Sequence, residues 1–118
     1  MKESLIILTM NNVEQINRIE ILGFVGSIRL SNVGDKRLAN FTMATNYAFK
    51  DKEGHPVIET TWHNVRAFEG EHIGDLDRLE RGSTVHVVGR LQVQRYMSAE
   101  GIEKTSVTVL AHRVEIVT

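Results

Sequence analysis

A chain of 118 residues can hold one domain with a real core and is too short for two comfortable ones. Its 42% hydrophobic and 25% charged content argues against disordered, collagen-like and membrane classes, and the absence of cysteine excludes disulfides and thiolate chemistry. The formal net charge of −1 is unevenly placed: five acids against one base between Glu69 and Glu80 make a local −4 and leave +3 on the remainder, enough for a cationic surface.

Residues 1–16 read as an N-terminal extension ahead of a domain at 17–118. The apolar run Leu5–Leu8 is far shorter than the roughly 20 residues that span a bilayer, and no small-residue cleavage site follows it. No membrane association is expected, and the cytoplasm is the default location. From Asn17 a strand pattern begins, with Ile19 and Ile21 alternating against Arg18 and Glu20 and running to Leu30. Gly23 and Gly26 within it mark bulges or bends, as in the long coiled first strand of a small barrel. Phe24 and Phe41 are assigned to the core. Ser31 to Arg37 forms a turn by its Asn, Gly and Asp content, and Leu38 to Phe49 alternates as a second strand. Lys50 to Pro56, which carries the only proline, punctuates the chain again.

The stretch Glu59–Phe68, ETTWHNVRAF, is the most informative. On a strand, Trp62, Asn64, Arg66 and Phe68 share one face and His63, Val65 and Ala67 the other. Facing a core, Arg66 would bury a charge; facing plain solvent, the sole tryptophan would be exposed without reason. Most tryptophans serve packing. A face alternating aromatic and cationic groups instead suits a flat, anionic ligand, and single-stranded nucleic acid is one, since bases stack on aromatics while phosphates sit near cations.

Between Gly70 and Arg81, Ile73, Leu76 and Leu79 recur every three residues among charges, which predicts a short amphipathic helix stopped by Gly82. Thr84 to Tyr96 returns to alternation, with Val85, Val87, Leu91 and Val93 inward and His86, Arg90, Gln92, Gln94 and Tyr96 outward; Gly89 marks a further bend. Met97 to Gly101 makes a hairpin turn and Thr105 to Val117 a last strand rich in β-branched residues. Three strands, a helix and two strands is the order of an all-β, five-stranded oligonucleotide-binding (OB-fold) barrel with its helix between strands 3 and 4.

The blocks NRIEILGFVG (17–26), ANFTMATNYAF (39–49), TTWHNVRAFEG (60–70) and LERGSTVHVVGRLQVQRY (79–96), with the terminal strand, resemble bacterial single-stranded DNA-binding proteins in order and spacing. That resemblance implies base stacking at Trp62, Phe68, Phe49 and Tyr96, with Phe49 and Tyr96 standing where many members have tryptophan. It implies a subunit contact at His63 and a homotetramer around which single-stranded DNA wraps. Typical members also carry a flexible linker and an acidic tip that recruits repair and replication enzymes; this chain stops at Thr118, so tail-mediated recruitment is not expected.

For the DNA backbone the candidate contacts are Arg66 and Arg90, on outward strand faces, Lys50 and Lys52 beside Phe49, and Lys104. The histidines lack metal-site spacing, and no nucleophile, phosphate loop or metal motif accompanies the scattered acids, so neither enzyme, cofactor nor metal is expected. The expected function is sequence-tolerant binding and protection of single-stranded DNA in replication, repair or recombination. Two alternatives stand beside it: a tail-less primosome or conjugation accessory protein on the same barrel, acting as an interaction module, and an RNA-binding barrel.

Overall fold

The alternating segments pair into five strands: β1 (Ile19–Val33), β2 (Lys36–Lys50), β3 (Pro56–Phe68), β4 (Thr84–Met97) and β5 (Glu103–Ile116). The structure, a computed structural model, describes residues 13–118; residues 1–12, most of the proposed N-terminal extension, lie outside the described residues. The strands close into a barrel in the order β1-β2-β3-β5-β4. All neighbours are antiparallel except β3 and β5, which meet in a short parallel pairing of Val65 with Val109 and Arg66 with Leu110. Closure removes the free sheet edges that a five-stranded open sheet would expose.

Inward side chains from every strand fill the barrel, among them Ile21, Val25, Phe41, Met43, Val65, Val85, Val87, Val109 and Val114. Alternation along β3 fits this core as expected, with Val65 and Ala67 buried and Trp62, Asn64, Arg66 and Phe68 exposed. Two register shifts let the long strands bend: one between Val25 and Ile28, at Gly26, and one between Val88 and Gly89.

Three sequence expectations are corrected. The segment before Gly82 forms no α-helix, only a 3-10 turn at Leu76–Arg78. Backbone bonds from Gly74 N–H to Val114 C=O (2.8 Å) and from Val114 N–H to His72 C=O (3.0 Å) hold residues 72–74 extended against β5, so no helix can start there. Spacing by three still serves packing, because the 3-10 period of 3.0 residues puts Leu76 and Leu79 on one side, and both are buried. Gly82 does adopt the left-handed conformation expected of it, at φ 89°. Phe24, assigned to the core, is 51% exposed: Ile21 and Val25 take the inward positions of β1, which leaves Leu22 and Phe24 outside. Leu91 and Val93 keep the inward phase, since Leu91 pairs with the buried Val109, but β4 has by then passed the end of the barrel and both are exposed.

Candidate nucleic-acid interface

Strand register stacks the outward side chains of β1, β2 and β3 into rows running across the barrel. Phe24, Ala44 and Trp62 form one row, since Phe24 pairs with Ala44 and Ala44 with Trp62. Ala44 is nearly covered between the two aromatic neighbours, whereas the Trp62 ring remains 61% exposed. The Trp62 ring reaches over β1 for a specific reason. A Cβ on Gly26 would sit 2.6 Å from Trp62 Cζ3 and 2.7 Å from Thr42 Oγ1, so only glycine leaves room for the indole above β1. Arg81 closes the same shallow hollow, its Nε donating to Gly26 C=O at 3.4 Å.

Next along β3, Asn64 pairs with Thr42, whose hydroxyl accepts from Ser27 N–H (2.9 Å) and lies 3.2 Å from Ser27 Oγ. Beyond it Arg66 pairs with Asn40, and Arg66 Nε donates to Asn40 Oδ1 at 3.1 Å. That single bond orients the guanidinium while leaving its two terminal nitrogens for a ligand. Phe68, 42% exposed, pairs with Leu38 and partly covers it. A groove of about 410 Å³ runs beside Arg66, lined by Ser27, Thr42, Asn40, Asn64, Ser106 and Thr108 among others and, among the described residues, by no carboxylate.

Two hairpin arms extend past the barrel. On the β4–β5 arm, Arg90 pairs with Leu110, Gln92 with Thr108, Gln94 with Ser106 and Tyr96 with Lys104, so Arg90, Tyr96 and Lys104 share one outward face with the groove-lining Ser106 and Thr108. On the β2–β3 arm, Lys50 falls on the face of Trp62, and Lys52 sits in the connecting turn. Phe49 falls on the opposite face, the one that continues the barrel interior, where its ring stacks on Tyr47 at 5.9 Å between centroids. The turn of this arm also gathers Asp51, Glu53 and His55. Asp51 Oδ1 there accepts from Glu53 N–H (2.9 Å) and His55 N–H (2.8 Å), which accounts for the cluster as a turn brace.

His63 lies on the inward face at the end of the barrel, half-buried, with Nε2 2.8 Å from Thr45 Oγ1. Burial holds its pKa below the ordinary histidine value. Trp62, Arg66, Phe68, Arg90, Tyr96 and Lys104 are thus brought onto one continuous outer surface; Phe49 and His63 are not. Three partners escaped the sequence reading. Tyr47 could have been found two residues before Phe49 on the same face. Gly26 and Arg81 lie 55 residues apart in the chain, and nothing local connects either to Trp62.

A closed five-stranded barrel in this strand order, with an aromatic and cationic outer face, is an oligonucleotide-binding barrel. Residues 16–117 match the model of the Single-strand binding protein family, and the chain belongs to that family. Its similar sequences include single-stranded DNA-binding proteins of Neisseria meningitidis serogroup A (28% identity, 86% of this chain and 59% of the relative) and Xanthomonas campestris pv. campestris (30%, 86% and 60%). The chain therefore spans about three fifths of the length of these curated relatives. Among solved structures, the fold is similar to that of Plasmodium falciparum SSB in complex with ssDNA, with a TM-score of 0.70 at 20% identity over 90% of this chain and 97% of that one.

Proposed function

We propose that this protein binds single-stranded DNA with little sequence preference and protects it while it is unwound in replication, repair or recombination. One observation carries the reading: Trp62, the sole tryptophan, is seated against Gly26 and left exposed, on the same strand face as Arg66 and Phe68. Flat rings offer stacking worth about 1–3 kcal/mol per base to any base, and the arginines exchange condensed counterions for phosphates. Family membership supports the same ligand. Titration of the Trp62 fluorescence with oligo-dT tests it, with quenching expected as bases stack on the indole; no quenching together with no gel shift would overturn it. If about four phosphates are neutralised per protomer, log affinity falls against log salt with a slope near −3.

The same reading includes a homotetramer with His63 near a subunit contact, and residence in the cytoplasm with the nucleoid. Exposed Leu22 and Phe24 on the outer face of β1 supply apolar surface for association. Light scattering at a series of concentrations tests the assembly, and a monomer throughout would remove it.

A further inference from the structure

A row of arginines crosses the barrel at right angles to its strands. Arg29 of β1 pairs with Asn40 of β2, Asn40 with Arg66 of β3, Arg66 with Leu110 of β5, and Leu110 with Arg90 of β4. The five residues occupy matching outward positions, and the three arginines are exposed. Each arginine stands two strands from the next, about 10 Å at the usual strand spacing. None of the three has a carboxylate within ion-pair distance among the described residues, whereas Arg37 is bonded to Asp77 (2.7 Å) and Arg95 lies 3.7 Å from Glu103. Three cations in one lateral row without a carboxylate partner repel one another. The groove between Arg29 and Arg66 adds the hydroxyls of Ser27, Thr42, Ser106 and Thr108, groups that commonly contact phosphate oxygens.

Resting on the proposed binding of single-stranded DNA, we propose that the Arg29–Arg66–Arg90 row is the phosphate track of this chain, with Arg29 as a backbone contact. The aromatics are disposed to match. Phe68 is two residues beyond Arg66 on the same face of β3, about 7 Å away, close enough for one nucleotide to stack on the ring while its phosphate meets the guanidinium. Trp62 is four residues to the other side, about 13 Å, with the neutral Asn64 and Thr42 row between. Bases on Phe68 and Trp62 therefore flank the track from opposite sides. On β4 the outward face continues from Arg90 through Gln92 and Gln94 to Tyr96, which leads the strand onto the β4–β5 arm.

Salt titrations of oligo-dT binding by the full chain, read by Trp62 quenching, test the track. Arg29→Gln is expected to reduce the slope of log affinity against log salt by about 0.7 in magnitude, and Arg29→Gln with Arg66→Gln by about 1.4, at unchanged saturating quench. Arg113→Gln, an exposed β5 arginine outside the row, should leave the slope as it is. An unchanged slope for Arg29→Gln, or an equal change for Arg113→Gln, overturns the track while wild-type binding stands. A wild-type chain that neither binds nor quenches overturns the parent reading as well. Equal melting temperatures for the variants confirm that the slopes compare folded proteins.

Discussion

The barrel body and the two arms use the same strands under opposite conditions. In the body each strand has one face in the core and one in water, so Met43, Val65 and Val85 are fully buried while Arg66 and Trp62 stand outside. In the arms both faces are wet: β2 is exposed from Asn46 to Lys50, and β4 from Val93 to Met97. The pleat continues without interruption across this boundary, since β2 and β3 pair from Leu38–Phe68 to Lys50–Pro56. What ends is the consequence of the pleat. In the body alternation determines burial; in the arms it determines only which of two solvated faces a ring occupies, so Phe49 and Trp62 lie on opposite faces of one hairpin. Stability is thereby concentrated in the body, and the arms leave both of their faces exposed.

The largest effect expected from this difference is on folding. Met43→Ala, which deletes a fully buried side chain, should destabilise by about 2–5 kcal/mol, whereas Ile58→Ala on the exposed β2–β3 arm should change stability by no more than about 0.5 kcal/mol. Urea unfolding of the two variants measures this, and similar losses would break the distinction between body and arm. In binding, the order should be set by how firmly each ring is held. Trp62→Ala should weaken oligo-dT binding by about 1–3 kcal/mol, followed by anisotropy of a labelled oligonucleotide because the intrinsic probe is lost. Tyr96→Ala on the β4–β5 arm should lose less, since that ring has no seat like Gly26 and gives up more freedom when a base stacks on it. An arm variant that cost more than Trp62→Ala would reverse the ranking.

A subtler test alters the seat and keeps the ring. Gly26→Ala places a methyl within 2.6 Å of Trp62 Cζ3, so the indole must tilt; oligo-dT quenching should fall in amplitude while the melting temperature drops little. Smallest of all is a pH effect at the junction of body and arm. Burial lowers the His63 pKa in the folded protein, while the unfolded chain titrates near 6.5. The unfolded state therefore takes up the proton first as pH falls, so this contribution to stability is full above about 6.5 and is lost below it, towards the lowered folded value. Melts at about pH 7.5 and about pH 5.5 should show a smaller acid-side loss for His63→Gln than for the unaltered protein.

Legibility followed the same boundary. Val65 against Arg66 could be read from the chain because each position of a body strand has one dry and one wet option, and side-chain chemistry selects between them. Phe24 is not legible as an outward residue because Leu22, Phe24, Ile21 and Val25 are all apolar, so polarity cannot give the phase of β1; the closed barrel, with room for only one side, decides it. Alternation gives Leu91 and Val93 the right phase, but the sequence does not record where the barrel ends. Spacing by three fits both an amphipathic helix and a 3-10 turn, and backbone bonds to β5 choose between them.

By itself the sequence determined the five strands, the outward placement of Trp62, Arg66 and Phe68, and Gly82 as a left-handed stop, since each follows from neighbours within a few residues. Only the tertiary structure set Trp62 on Gly26 beside Arg81 and aligned Arg29, Arg66 and Arg90 in one row. Those relations depend on strand register and barrel closure. Each joins segments far apart in the chain, and no local pattern of side chains encodes it.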